Sequence, residues 1–248
     1  MQTKINTEKI ELSSIIFLTI FLVSLKWILS FYFFDEDITL RIINETSDTL
    51  YFPLIKSFSE LNFNPSYSES LNNLKIVSLP ALILFVNSLS FLILGSYSFV
   101  ILEFVCVAFF ILIFFNIFLE LNFSKIFSIT LSIFIYILPT ILQDLVILDF
   151  KFINLLSVNF ENFYTTRYPR PIISNLFFFS FIYFIIRFYT EEKNYTKYLF
   201  FLFILLGITI NTFFYHFTIE FILLIIIYIL KFKKNFFKET LDNFKNLI

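Results

Sequence analysis

Long apolar stretches separated by short polar segments run along the whole chain. Six of these stretches approach the length of about 20 residues that a helix needs to cross a hydrocarbon core of about 30 Å. A seventh stretch, Ile76–Gly95, is also apolar but is interrupted by Pro80, Asn87 and three serines. The pattern predicts an all-α polytopic membrane protein. The six uninterrupted stretches are Leu12–Phe34, Tyr97–Leu119, Lys125–Gln143, Ile172–Arg187, Leu199–Tyr215 and Phe217–Leu230.

Composition supports this class and excludes several others. Only 15% of the residues are charged and 58% are hydrophobic, whereas soluble domains carry about 25% charged residues. A net charge of −1 gives no electrostatic reason to expect nucleic-acid binding. Two glycines are too few for a glycine-rich phosphate loop, and one histidine, His216, excludes a multi-histidine metal site. The single cysteine, Cys106, cannot form an intrachain disulfide.

Basic residues favour one membrane topology over the other. The first stretch is too long for a cleaved signal peptide, so we interpret it as a retained first span with a cytoplasmic N-terminus. If Ile76–Gly95 lies in the membrane interface without crossing, both termini are cytoplasmic and eleven basic residues share that side with them. Six basic residues then lie on the opposite side. The eleven are Lys4, Lys9, Lys125, Arg187, Lys193, Lys197, Lys231, Lys233, Lys234, Lys238 and Lys245, and the six are Arg41, Lys56, Lys75, Lys151, Arg167 and Arg170.

The sequence therefore predicts one membrane domain, residues 1–248, with about six transmembrane helices and an interfacial juxtamembrane helix. Two long loops, residues 35–96 and 144–171, lie on the non-cytoplasmic face, and the interfacial helix belongs to the first of them. The bacterial inner membrane or an equivalent membrane is the expected location. Because the other connections are short, we expect function to reside where the two long loops meet.

Three successive carboxylates, Asp35, Glu36 and Asp37, follow directly after the first apolar stretch. Adjacent carboxylates at a membrane boundary repel one another, and a cation or a proton-accepting role would offset that repulsion. One hypothesis makes them a general base, with Asp35 and Asp37 as ligands of a divalent cation such as Mg²⁺ or Mn²⁺. The alternative is a solvated helix cap that ends the span.

The second long loop carries acidic residues, Asp144 and Asp149, and then Arg167 and Arg170 just before the next apolar stretch. Guanidinium groups match phosphate oxygens with a fork of donors, so the two arginines are suited to bind a lipid phosphate. Anchoring among lipid headgroups is an equally good interpretation of their position.

Ionisable residues also occur inside the apolar stretches. Lys26 and Glu103 could pair across two helices, and Glu220 and His216 could snorkel toward the near membrane surface. We interpret these residues as structural.

The order of these features resembles the integral-membrane glycosyltransferases of the GT-C superfamily, such as protein mannosyltransferases and aminoarabinose transferases. One helix is followed at once by an acidic motif, here Asp35-Glu36-Asp37. A long outer loop then matches Phe52–Lys75 and Ile76–Gly95, and Leu94-Gly95-Ser96-Tyr97-Ser98-Phe99 matches the glycine and aromatic junction into the next span. Asp144 or Asp149 fits the acidic position of the second loop.

This resemblance implies an inverting transferase that moves a sugar from a polyprenyl-phosphate donor to an acceptor hydroxyl. Asp35 or Asp37 would act as base or metal ligand, and Arg167 and Arg170 would stabilise the leaving lipid phosphate. Family members are usually longer, so the chain would correspond to the N-terminal module. The alternatives are a non-catalytic membrane protein, such as a flippase for a lipid-linked sugar or an assembly partner, and an inactive truncated paralogue.

Overall fold

A computed structural model describes residues 13–25, 27–28, 32, 51–62, 81–145 and 172–232. Within these residues the chain forms eight α-helices and no strand, which confirms the predicted all-α class. Three helices, α4, α6 and α8, are long and apolar enough to span a membrane, while the apolar parts of the others are shorter. The helices are α1 Ser13–Leu25, α2 Tyr51–Ser59, α3 Ala81–Leu94, α4 Tyr97–Glu120, α5 Lys125–Leu145, α6 Ile172–Thr190, α7 Tyr195–Thr209 and α8 Phe214–Lys231.

Polar side chains within these apolar helices bind the backbone of their own helix. Their hydroxyl or amide groups donate to the carbonyl oxygen four residues earlier, at 2.7 to 3.0 Å. This local bond satisfies a polar group that lipid could not solvate, so serine, threonine and asparagine can occupy an apolar helix. The donors include Thr19, Asn87, Ser90, Asn116, Ser128, Thr130 and Ser132.

Helices α4 and α6 run parallel and define the two ends of the bundle. The Arg187 guanidinium in α6 binds the Glu120 carboxylate at the end of α4, 2.9 Å away. Earlier in both helices, the ring centroid of Phe179 in α6 lies 4.6 Å from that of Phe114 in α4. We call the end at which α4, α6 and α8 finish the tail end. The opposite end, where α4 and α6 begin and α5 finishes, is the loop end.

Two apolar clusters meet at the contact between α4 and α6. The first joins α1, α2, α3 and α4, and the second joins α6, α7 and α8. Phe177 of α6 packs against both clusters, and Phe110 and Phe114 of α4 form a smaller cluster with Phe179 of α6. In a bilayer, where lipid tails are as apolar as these side chains, close packing of the rings would contribute more to helix association than exclusion of water.

The last two helices form a hairpin whose turn differs from the predicted position. The sequence pattern predicts a break between Tyr215 and Phe217, whereas the chain turns at residues 210–213. Polar side chains explain the earlier end of α7, because the Asn211 amide donates to the Gly207 carbonyl and the Thr212 hydroxyl donates to the Thr209 carbonyl. These bonds satisfy carbonyls at a helix end that would otherwise need another turn of helix.

Both ends of α3 lie at the loop end. Gly95 follows α3 with a φ of +56°, a conformation that glycine adopts at no steric cost, and this turn leads into Tyr97 at the start of α4. At the other end of α3, the Leu82 N–H donates to the Asn211 carbonyl in the α7–α8 turn, at 3.3 Å. The helix is about 21 Å long at 1.5 Å per residue, so it lies across the loop end and does not run the length of the bundle.

Candidate functional site

Most of the predicted site residues lie outside the described part of the chain. This holds for Asp35, Glu36, Asp37, Asp149, Arg167 and Arg170. Asp144 lies in the last turn of α5, where the backbone is described and the side chain is not. That the two loops lie close to each other therefore stays a prediction from the sequence.

The described helices that adjoin these segments share the loop end. Trp27, eight residues before Asp35, donates from its indole Nε1 to Glu103 near the start of α4. Asp144 belongs to the turn that finishes α5. Arg170 precedes the start of α6 by two residues in the sequence. Both loops are thus attached to helix ends on the same side of the bundle.

A buried carboxyl, Glu103 of α4, is bonded to Trp27, two residues after the end of α1. Its side chain is 4% exposed, and its Oε2 accepts the Trp27 indole N–H at 2.8 Å. Tyr136 of α5 lies close enough to interact with it electrostatically. The predicted partner of Glu103, Lys26, lies outside the described residues.

A second buried carboxyl, Glu220, occupies the loop end of the α7–α8 hairpin. Glu220 is fully buried and His216, one turn earlier in α8, is 1% exposed. The interpretation that both snorkel to a membrane surface is therefore wrong. The rings of Phe178 and Phe213 enclose the imidazole, each with its centroid 4.7 Å away. Both side chains are buried because α6 and the turn between α7 and α8 cover this face of α8.

Either Thr209 or Glu220 can be the donor in the hydrogen bond between them. Oε2 of Glu220 lies 2.7 Å from the Thr209 hydroxyl, which also lies 3.2 Å from the Leu206 carbonyl. A hydroxyl has one proton for these two acceptors. It can donate to an ionised Glu220, or it can donate to the Leu206 carbonyl while a neutral Glu220 donates to it. Among the described residues Oε1 of Glu220 has no hydrogen-bond partner.

The two carboxyls occupy corresponding positions in their helices. Glu103 is the seventh residue of α4 and Glu220 the seventh of α8, so each lies about 9 Å along its helix from the loop-end start. Sequence reasoning noticed both residues but missed their partners, Trp27 and Thr209. The available sequence signal for Trp27 and for Thr209 was a residue with a hydrogen-bonding group inside an otherwise apolar stretch.

The described residues contain no group of three or more His, Cys, Asp or Glu side chains that could hold a metal ion. The predicted metal ligands, Asp35 and Asp37, lie outside these residues. Comparison of the chain with protein-family models, with curated proteins and with solved structures gives no match.

Proposed function

We propose that this chain is a membrane glycosyltransferase that moves a sugar from a polyprenyl-phosphate donor to an acceptor hydroxyl on the non-cytoplasmic face. The observation that carries the proposal is the shared loop end, because helices α1, α5 and α6 all adjoin there the segments that hold Asp35, Asp144 and Arg170. Reacting groups must lie within contact of one substrate. Two loops attached to one end of a bundle meet that requirement far more readily than loops at opposite ends.

The same proposal places the loop end on the non-cytoplasmic side. Six helices, α1 and α4 to α8, cross the membrane in it, and α3 lies in the interface. The basic residues in the described ranges support this orientation, because the cytoplasmic side of membrane proteins is enriched in lysine and arginine. The loop end has Lys56 of α2. The tail end has Lys125, Arg187, Lys193, Lys197 and Lys231.

The proposed chemistry is an inverting displacement at the anomeric carbon of the sugar. Asp35 or Asp37 takes the proton of the acceptor hydroxyl, whose oxygen bonds to that carbon as the bond from the carbon to the phosphate oxygen breaks. The polyprenyl phosphate leaves with the bonding electron pair. Arg167 and Arg170 stabilise the charge that grows on the phosphate. A divalent cation such as Mg²⁺ or Mn²⁺, bound by Asp35 and Asp37, would add positive charge at this site.

Turnover by the full chain in lipid nanodiscs tests the proposal. The probes are polyprenyl-phosphate sugars carrying labelled hexoses or pentoses, and the readout is release of polyprenyl phosphate in the presence of a cell-envelope extract as acceptor source. We expect Asp35→Asn or Asp37→Asn to lower the rate by about 10² or more, the usual contribution of a general base. Glu192→Gln in the tail-end turn is the matched control and retains the rate.

Full activity in both Asp35→Asn and Asp37→Asn would overturn the assignment of the base. A wild-type chain that binds the lipid-linked sugars and transfers none would favour the flippase or assembly-partner alternative. Binding is measured separately with polyprenyl phosphate, against polyprenol as the phosphate-free control. We expect the Arg167→Ala, Arg170→Ala double variant to abolish the preference for the phosphate.

A further inference from the structure

The hydrogen bonds around Glu220 fit a neutral carboxylic acid. A carboxylate only accepts, and its two oxygens offer about four sites to donors. Among the described residues Glu220 has one partner, the Thr209 hydroxyl 2.7 Å from Oε2, and Oε1 has none. A neutral acid needs one acceptor for its O–H, and the Thr209 oxygen supplies it. The Thr209 hydroxyl then donates to the Leu206 carbonyl at 3.2 Å, so each of the two protons has an acceptor.

The helices that pack against α8 place no cation beside Glu220. These are α6 and α7, which the structure describes throughout and whose charged residues are Arg187 and Lys197. Both lie toward the tail end. Arg187 binds the Glu120 carboxylate there, and Lys197 is about 18 Å along α7 from Thr209. An ionised Glu220 would therefore have no salt-bridge partner on either helix.

His216 is the titratable group of α8 that faces Glu220, from one turn earlier. In the described structure it makes no hydrogen bond to either oxygen of Glu220. Lys231 lies at the opposite end of α8, and Tyr215 is 71% exposed. The other titratable groups of α6, α7 and α8 are tyrosines in the tail-end half of each helix, namely Tyr183, Tyr189, Tyr195, Tyr198 and Tyr228.

Burial makes the charged form of Glu220 costly. Its side chain is fully buried, and its neighbours on the same face of α8, His216 and Leu224, are 1% and 5% exposed. A carboxylate in apolar surroundings takes up a proton more readily than it keeps its charge. A proton is therefore the ligand that suits this position.

Thr209 also anchors the turn between α7 and α8. Its carbonyl accepts both the N–H and the hydroxyl of Thr212, each at 3.1 Å. Within the same turn, the Asn211 carbonyl accepts the Leu82 N–H of α3 at 3.3 Å. A continuous set of bonded residues thus leads from Glu220 through Thr209 and the turn to the start of α3.

We propose that Glu220 is a proton-binding site inside the apolar bundle, and that its bound proton holds the α7–α8 turn in the position that bonds to α3. When the proton leaves, the Thr209 hydroxyl turns from the Leu206 carbonyl to the carboxylate. A buried charge with a single donor then draws water into the loop end of the hairpin, and the bond from Leu82 to the turn weakens. The proposal does not depend on glycosyl transfer.

Infrared spectroscopy of the full chain in lipid nanodiscs tests whether the proton is bound. Glutamate carboxyls are labelled with ¹³C, and the spectrum of Glu220→Gln is subtracted from that of the wild type. At about pH 7 a water-exposed glutamate, whose ordinary pKa is about 4.3, is ionised. We expect the difference spectrum to contain the C=O stretch of a neutral acid. In Thr209→Val this band should remain and shift in frequency, because the acid has lost its acceptor.

Carboxylate bands alone in the wild type would overturn the proposal. So would an acid band that appears only in Thr209→Val, because Thr209 would then be stabilising an ionised Glu220. An acid band that stays undiminished as the pH is raised to about 10 would show that the site does not release its proton, and would overturn the role in holding the turn.

Hydrogen exchange of the Leu82 amide tests the link to α3. Its exchange rate in the wild type is divided by that in Glu220→Gln at each pH, which removes the intrinsic effect of pH on exchange. We expect this ratio to rise as the acid band fades, by up to about tenfold per pH unit, the limit for release of one proton.

The Leu121 amide, bonded to the Ile117 carbonyl at the tail end of α4, is the control, and its ratio should stay constant. A constant ratio at Leu82 while the acid band fades would overturn the link between the proton and the turn. Melting curves verify that each variant is folded. If Glu220→Gln fails to fold, Glu220→Leu replaces it in both experiments, because leucine also carries no charge at any pH.

Discussion

The ionisable side chains that connect helices at the tail end are partly exposed, whereas two carboxyls at the loop end are buried. At the tail end, Arg187 binds the Glu120 carboxylate and also lies over the ring of Tyr198, at 5.4 Å. Lys231, from the end of α8, donates to the carbonyls of Phe188, Tyr189 and Glu191. These cations therefore connect α4 to α6 and α6 to α8, and Lys231 satisfies carbonyls that the end of α6 leaves unpaired.

At the loop end Glu103 and Glu220 are 4% and 0% exposed. Glu103 accepts a hydrogen bond from the Trp27 indole, and Glu220 is bonded to the Thr209 hydroxyl. Cations at the ends of helices suit a structural role, whereas an ionisable residue buried inside an apolar bundle is costly and is commonly retained for function. The tail-end contacts join neighbouring helices, and the proposed function assigns the chemistry to the loop end.

The largest effect should come from removing the aromatic centre of the tail end. Phe188 is fully buried and its ring contacts those of Tyr195, Tyr228 and Phe232. We expect Phe188→Ala to lower the free energy of unfolding by about 3–5 kcal/mol, the usual cost of such a cavity. Unfolding in mixed micelles measures this. Phe200→Ala on the exposed face of α7 is the control, and an equal loss there would contradict the account.

Loss of the indole donor at the loop end should rank second. Trp27→Phe leaves the buried Glu103 carboxyl without its described donor and also removes part of a ring that is 6% exposed. We expect a loss of about 2–4 kcal/mol from the two causes together. Combining it with Glu103→Leu should restore part of the stability, because the polar partner is then absent too. Additive losses in the double variant would show that the bond contributes nothing.

A smaller effect should follow from removing the partner of Glu220. Thr209→Val keeps the branched shape and leaves a fully buried carboxyl without its hydroxyl, so a loss of about 1–3 kcal/mol is expected. Glu220→Gln should cost less, because an amide NH₂ can donate to the Thr209 oxygen. Unfolding of the two variants in mixed micelles measures both losses in the free energy of unfolding. A larger loss for Glu220→Gln than for Thr209→Val would require an ionised Glu220.

The smallest effect should be that of the tail-end ion pair. The side chains of Arg187 and Glu120 are 32% and 23% exposed, so water and salt weaken their attraction. A double-mutant cycle of Arg187→Ala with Glu120→Ala should give a coupling of about 0–1 kcal/mol that falls with added salt. A coupling several times larger and insensitive to salt would place this pair in a far drier environment than its exposure indicates.

Apolar pattern alone was enough to predict the helical class and several helix positions. The predicted start of the second uninterrupted stretch at Tyr97 and that of the third at Lys125 agree with α4 and α5. The apolar pattern predicted the wrong position for the α7–α8 turn. Asn211 and Thr212 end α7 by donating hydrogen bonds from their side chains to its carbonyls, and the pattern of apolar residues gives no sign of these bonds.

The polar contacts inside the bundle were harder to predict than the helices. Long-range partners such as Trp27 for Glu103, 76 residues away, depend on how helices rotate against each other. Thr209 escaped notice for the same reason, since a threonine in an apolar stretch usually binds its own helix. Asp35, Asp37, Arg167 and Arg170 lie outside the described residues, so their roles remain predictions from sequence.

Cysteine accessibility tests the central claim that the second long loop, residues 144–171, lies on the face opposite the C-terminus. Lys151→Cys and Lys238→Cys are introduced separately into the full chain in intact cells or sealed spheroplasts, and a membrane-impermeant maleimide is added before and after permeabilisation. The native Cys106 is buried, so the wild type is the unlabelled control. We expect Lys151→Cys to react before permeabilisation and Lys238→Cys to react only afterwards. Labelling of both from the same side would contradict the account.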